Sequence, residues 1–334
     1  MRTACAIGRQ NLLNHLARLF LNPDGFAPRT HERRHALNLK HLALHQLLMQ
    51  NRPSLQAYPA LFAMCQNSFV RVHPSIIEED MSVALVLSAG GMFGAYQMGA
   101  WEVLEEFVKP DIVIGTSIGS LHAWAISGGA TAAQLMPLWY DASLGDAIRW
   151  QFPRALRHGV LHPHALEARI QTLHQNFTPQ RPVGIVANSY PRLRPHLFRN
   201  DEITWQHLAA SCAVPNFLRH PQIGALTFAD GGLFDSLNIW AAFEMGATRV
   251  VVINCWKPQQ PWILDKSVGW FAARRRRQAP PAPPSANRVV IIEPALPLGR
   301  MRDSLYWQRP LIDEWRALGQ SDARANKQII CDMF

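Results

Sequence analysis

The chain has 334 residues, 48% of them hydrophobic, and is globular with enough apolar material for a large core. Its formal charge of +9 at pH 7 suits an anionic partner, membrane surface or nucleic acid, or a basic surface that keeps the protein soluble. Cys5, Cys65, Cys212, Cys255 and Cys331 are scattered without a C-x-x-C, which argues against a disulfide framework or a zinc knuckle and for reduced, mostly buried thiols.

Met1 to Asp24 lacks the continuous apolar stretch of a secretory signal. Arg2, Arg9 and Arg18, with Leu12, Leu13, Leu16, Leu19 and Phe20 at helical spacing, fit a docked amphipathic helix, a membrane-surface helix or a transit peptide. Residues 1–80 read as a helical segment broken by Pro53 and Pro59. Within it, His31-Glu32-Arg33-Arg34-His35 satisfies H-E-x-x-H, which gives a zinc peptidase as a remote alternative. Arginines at both middle positions oppose a dication there, and His41 and His45 offer only a loosely spaced further pair.

From Ser82 the texture changes to strand (Val83 to Leu87), glycine loop (Gly90-Gly91-Met92-Phe93-Gly94), helix through Phe107, and strand again from Ile112 to Ile114. This βαβ opening implies a parallel pair with a right-handed crossover. The run from Ile112 to Tyr140 has no Asp, Glu, Lys or Arg, yet its glycines, His122 and Gln134 favour a buried strand, a tight turn and a buried helix over a membrane span. Residues 139–180 are less regular and read as surface helices near the site.

Further strands are expected at Val183 to Ala187, Leu226 to Ala229, Val250 to Ile253 and Val289 to Ile292, with helices at Trp205 to Ala213 and Asn238 to Met245. The alternation predicts a three-layer α/β/α domain over 81–296 with a mainly parallel sheet, followed by a helical segment over 297–334. Residues 266–287 form a basic, Pro-rich loop. Trp256, Trp262, Trp270 and Phe271 ahead of Arg274 to Arg277 offer either a docking patch for anionic lipid or core tryptophans beside a solvated loop. Nucleic acid could use the same arginines, but no recognised module accompanies them.

Gly115-Thr116-Ser117-Ile118-Gly119 falls between a strand and a helix, the setting of a serine nucleophile on a sharp turn. The helix that follows aims its N-terminus where negative charge develops in acyl transfer. The last histidine is His220, so no histidine follows Asp230, and His122 lies at a spacing that does not face Ser117. A Ser-acid-His order is therefore disfavoured. Asp230-Gly231-Gly232 follows a strand directly, where an aspartate can accept the serine proton, although Asp-Gly also forms ordinary β-turns. The loop at Gly90, Gly91 and Met92 can converge backbone N–H groups on an anion; it matches neither a dinucleotide fingerprint nor a P-loop.

Together, the stretch from Ser88 to Gly99, the serine motif and Asp230-Gly231-Gly232 resemble the patatin-like phospholipase family, which carries an oxyanion loop, G-x-S-x-G and D-G-G or D-G-A in that order. Ala210-Ser211-Cys212-Ala213-Val214-Pro215 and Asp235-Ser236-Leu237-Asn238 leading into Gly246 to Val250 add to the likeness, which covers roughly residues 82–295. The resemblance implies a lipid or acyl-ester substrate, a Ser117 and Asp230 dyad without cofactor or metal, and an oxyanion hole at Gly90, Gly91 and Met92. Phe93, Gly94, Gly115, Gly119, Gly231 and Gly232 support the motifs. Without a secretory signal or a membrane span the expected location is the cytoplasm, with peripheral contact to an anionic membrane as the docking-patch option at Trp256 to Arg277. A base in this role is expected to be buried, raising its pKa toward neutrality. The family loop usually has Arg or Lys at Phe93 and Gly at Ala89, so a weak or inactive lipid-binding relative is the alternative.

Overall fold

The computed structural model describes residues 81–141, 163–192, 194–215, 217–233, 235–257 and 288–334. The chain divides into two units, Met1–Glu79 and Asp80–Phe334, and the described residues belong to the second. The expectations for residues 1–80, including H-E-x-x-H, and for the 266–287 loop lie outside the described residues.

Among the described residues, eight strands form one sheet: β1 (Val83–Leu87), β2 (Ile112–Thr116), β3 (Val183–Tyr190), β4 (Arg194–Arg199), β5 (Gln222–Ile223), β6 (Leu226–Asp230), β7 (Arg249–Ile253) and β8 (Val289–Ile292). The helices are α1 (Gly94–Leu104), α2 (Ile118–Ser127), α3 (Ala132–Tyr140), α4 (Pro163–Asn176), α5 (Trp205–Ser211), α6 (Ile239–Glu244), α7 (Arg309–Ala325) and α8 (Lys327–Cys331). Strands β8, β7, β1, β2 and β3 are parallel neighbours, in that order.

The central strands are short apolar runs because both of their faces are covered. Alternate residues of β1 enter different cores. Leu85 and Leu87 join Phe93, Tyr96 and Trp315 on the side of α1, α2 and α7, while Ala84 and Val86 join Ala241 and Ala242 of α6 on the other. The same alternation in β2 and β7 makes three layers, α/β/α, as the sequence predicts. Each large side chain buried this way contributes roughly 1.5–3 kcal/mol relative to exposure.

Two further features complete the fold. Strands β4 and β6 run antiparallel to β3, and β5 antiparallel to β6, so the sheet is mixed. The C-terminal α7 packs on α1, where Arg316 forms a bidentate ion pair with Glu102 at 2.7 and 2.9 Å and Gln320 donates to the same carboxylate. Among the described residues, no helix is long and apolar enough to cross a membrane.

Candidate active site

A strand has two edges, and β3 uses one of them twice. Ile185 pairs with both β2 and β4, which therefore lie on opposite edges, and Asn188 pairs with both β4 and β6. Strands β2 and β6 must share the remaining edge, end to end. Thr116 closes β2 opposite Val186, and Asp230 closes β6 opposite Ala187. The C-terminal ends of the two strands thus meet head-on at successive positions of β3.

Ser117 begins the turn from β2 into α2 with φ 55° and ψ −126°, a conformation that costs a side-chain-bearing residue on the order of 1–3 kcal/mol. Its backbone is held on both sides. The Ser117 N–H donates to Ser211 Oγ at 2.9 Å, and the Ser117 carbonyl accepts from Ser120 N at 2.8 Å and Ser120 Oγ at 2.6 Å. Gly119, in the first turn of α2, leaves room for the end of β1: a Cβ there would lie 2.3 Å from the Leu87 carbonyl oxygen. Gly115 sits inside β2.

Asp230 is 4% exposed and Ser117 7%. Burial pushes the Asp230 carboxyl up to about 6, against the opposing pull of hydrogen bonds from the Ser117 hydroxyl and the Gly232 N–H. The Gly232 N–H donates to Oδ1 at 2.7 Å, and the Asp230 N–H donates to the Ala213 carbonyl at 2.9 Å. Gly231 and Gly232 form the turn after β6, and a Cβ on Gly232 would lie 2.3 Å from Ala89 Cβ. The turn is thereby pressed against the glycine loop. Cys212 adjoins this group, but burial first and the Asp230 charge second raise its pKa, leaving a protonated thiol rather than a competing nucleophile.

The loop after β1 passes through Gly90 into a 3-10 turn, Gly91–Phe93, before α1 starts at Gly94. The N–H groups of Gly90, Gly91 and Met92 have no acceptor among the described residues. Phe93 is fully buried, edge-on to Trp315 at 5.0 Å between ring centroids and tilted against Trp256 at 6.3 Å. Trp256 therefore packs inward, in favour of the core reading for this tryptophan. Beneath the loop, Gln97 Nε2 donates to the Ser88 carbonyl at 2.7 Å, and Trp139 Nε1 donates to His122 Nε2 at 3.2 Å. The proton of His122 must then sit on Nδ1, which donates to Gln97 Oε1 at 2.8 Å. Both ring nitrogens are committed, and burial pushes the imidazole down to about 3. This histidine serves the loop, not Ser117.

Residues 85–243 match the sequence profile of the family described as patatin-like phospholipase. The chain carries a patatin-like phospholipase domain. Lipid hydrolysis is the general activity that this family supports. Among solved structures, VipD from Legionella pneumophila is similar at 12% identity with a TM-score of 0.43, over 76% of this chain and 67% of VipD. The type III effector ExoU is similar at 14% identity with a TM-score of 0.33, over 74% of this chain and 53% of that one. ExoU in complex with SpcU, from the type III secretion system of Pseudomonas aeruginosa, gives 15% identity and a TM-score of 0.33, over 73% and 52%. This chain spans about half the length of the ExoU chains. No curated protein matches the sequence.

Three residues of the patatin-like domain to which the sequence assigned no role hold the site together. Ser211 Oγ accepts from Ser117 N and donates to the Val186 carbonyl at 2.7 Å, stitching the break between β2 and β6. Asn188 Nδ2 donates to the carbonyls of Asp230 and Gly231 at 2.8 and 3.1 Å. Asn238 Nδ2 reaches Thr116 Oγ1 at 3.1 Å and the Gly231 carbonyl at 3.3 Å, bridging the end of β2 to the turn after β6. Ser211 and Asn238 belong to runs quoted for the family resemblance, and that is the only signal the sequence carries. Their partners lie up to 122 positions away.

Proposed function

We propose that the chain is a serine lipid acyl hydrolase in which Ser117 is the nucleophile and Asp230 its base. Ser117 Oγ attacks the ester carbonyl while its proton passes to Asp230, and the carbonyl oxygen gains the negative charge of a tetrahedral intermediate. The N–H groups at Gly90, Gly91 and Met92, without an acceptor among the described residues, are the donors for that oxyanion, with the N-terminus of α2 adding a favourable dipole. Collapse of the intermediate releases the alcohol, which takes the proton from Asp230 and leaves an acyl-Ser117 ester. Water then attacks this ester, losing a proton to Asp230, and the acid departs as Ser117 recovers its hydrogen.

One observation carries the reading: the head-on junction of β2 and β6 on β3, which brings a strained serine and a buried carboxylate together from positions 113 residues apart in the sequence. The raised carboxyl pKa favours proton uptake from the serine by about 3 kcal/mol relative to an ordinary aspartate. Phe93 stands where the family usually has a cation, and its packing against Trp315 and Trp256 supplies loop order by another route.

The test is covalent labelling by a fluorophosphonate together with hydrolysis of a short-chain acyl ester. Wild type should label at Ser117 and turn over ester, and Ser117→Ala should do neither. Equal hydrolysis by Ser117→Ala, or failure of the folded wild type to label across several probes, would remove the assignment.

A further inference from the structure

Strand β3 does not stop at the dyad. It runs on from Ala187, the partner of Asp230, to Tyr190, three more residues and about 10 Å beyond the junction. There β4 turns back, with Ser189 opposite Arg194, and β6 enters, with Tyr190 opposite Thr227. The β3–β4 turn and the β5–β6 turn therefore stand side by side, projecting past the strand ends on the side where Ser117 lies.

The chemistry of this tip is two-sided. The β5–β6 turn is Ile223-Gly224-Ala225-Leu226, without a charge, and Leu226 and Tyr190 are 44% and 45% exposed. Arg192, Arg194 and Arg219 are exposed around them, and none has an ion-pair partner among the described residues. His220, next to Arg219, lies 4.7 Å from the Tyr190 ring, which brings that arginine to the same end. Neither 182–200 nor 203–229 contains an Asp or Glu, so no carboxylate from these segments offsets the cations.

We infer that the paired turns at the end of β3 are the edge by which the protein docks on an anionic phospholipid bilayer, Leu226 and Tyr190 entering the interface while Arg192, Arg194 and Arg219 meet headgroups. The inference rests on the proposed lipid substrate. An aromatic ring and a leucine beside three exposed arginines match the apolar boundary and negative surface of such a bilayer. A protruding tip on the serine side would also seat the site next to the lipid it draws from.

The experiment is co-sedimentation of the full chain with vesicles of phosphatidylcholine alone or with 30 mol% phosphatidylserine. It uses Ser117→Ala protein so that binding is read without turnover. The expected result is binding that depends on phosphatidylserine and falls on the order of 100-fold in the triple variant Arg192→Gln, Arg194→Gln, Arg219→Gln, at about fivefold per arginine. The triple Lys variant should retain binding, and Leu226→Ser should weaken it on both kinds of vesicle. With Ser117 intact, the Gln triple should hydrolyse a soluble short-chain ester at the wild-type rate, which also shows that it folds. Unchanged binding by the Gln triple, or a loss that appears only when Arg274 to Arg277 are replaced by Gln, would overturn the inference. No hydrolysis with intact tip-dependent binding would instead defeat the proposed function alone.

Discussion

Replacing Asp230 by Asn should stabilise the fold while abolishing ester turnover, and the size of the gain should depend on pH. The carboxyl is raised from 3.8 to about 6, chiefly by burial. A group that holds its proton more tightly when folded favours the native state fully below its unfolded pKa, and loses that contribution as pH rises to its folded pKa. Wild-type stability should therefore fall between about pH 4 and pH 6 and stay lowered above, by about two pKa units or roughly 3 kcal/mol. Asn cannot ionise, and its Oδ1 can still accept from the Gly232 N–H. Thermal and urea unfolding of both proteins should show Asn more stable by up to about 3 kcal/mol at pH 7.5, roughly 6–12 °C in midpoint, with the difference vanishing near pH 4. For wild type, kcat/KM should rise with pH around a midpoint near 6, as the base loses its proton. An Asn variant less stable than wild type at pH 7.5, or a difference that ignores pH, would refute the account of the buried carboxylate.

Ser211→Ala removes the hydroxyl shared by Ser117 N and the Val186 carbonyl, leaving both buried and unpaired at about 1–3 kcal/mol each. Ester kinetics should show kcat down at least about tenfold with KM nearly unchanged, partly recovered in Ser211→Cys. Gly232→Ala should depress thermal stability and turnover, because its Cβ would lie 2.3 Å from Ala89 Cβ. Adding Ala89→Gly should restore most of both. Phe93→Arg, which puts a cation where the family usually has one, should cost several kcal/mol and unfold at lower temperature than Phe93→Leu, because a guanidinium would be buried against Trp315 and Trp256.

The parallel strands were legible because burial on both faces demands continuous apolar runs, as in Val83 to Leu87 and Val250 to Ile253. The turns of the site were legible because close backbone approach excludes side chains, which leaves glycines at fixed offsets from Ser117 and Asp230. Strand β4 was missed: Arg-Pro-His-Leu-Phe-Arg has neither an apolar run nor strict alternation, and its pairing with β3 makes it a strand. Helix α5 ends at Ser211, short of the expected Ala213, where the chain turns to hold Asp230 N at the Ala213 carbonyl. Cys331 is exposed, against the expectation of mostly buried thiols that Cys212 and Cys255 meet. The work of Ser211, Asn188 and Asn238 could not be read in advance, because a lone polar residue in an apolar run does not name a partner a hundred positions away.

The end-to-end seating of β2 and β6 makes β3 a ruler for the two proposed catalytic groups. The strand ends that carry them, Thr116 just before Ser117 and Asp230 itself, are one residue step apart along the sheet, about 3.3 Å, between Val186 and Ala187. A slip of β6 by one position would shift Asp230 by that step and turn its side chain to the opposite face of the sheet. Sequence drift can therefore alter almost any exposed part of this sheet gradually, but an insertion or deletion between Val186 and Ala187 would part the two groups in a single event.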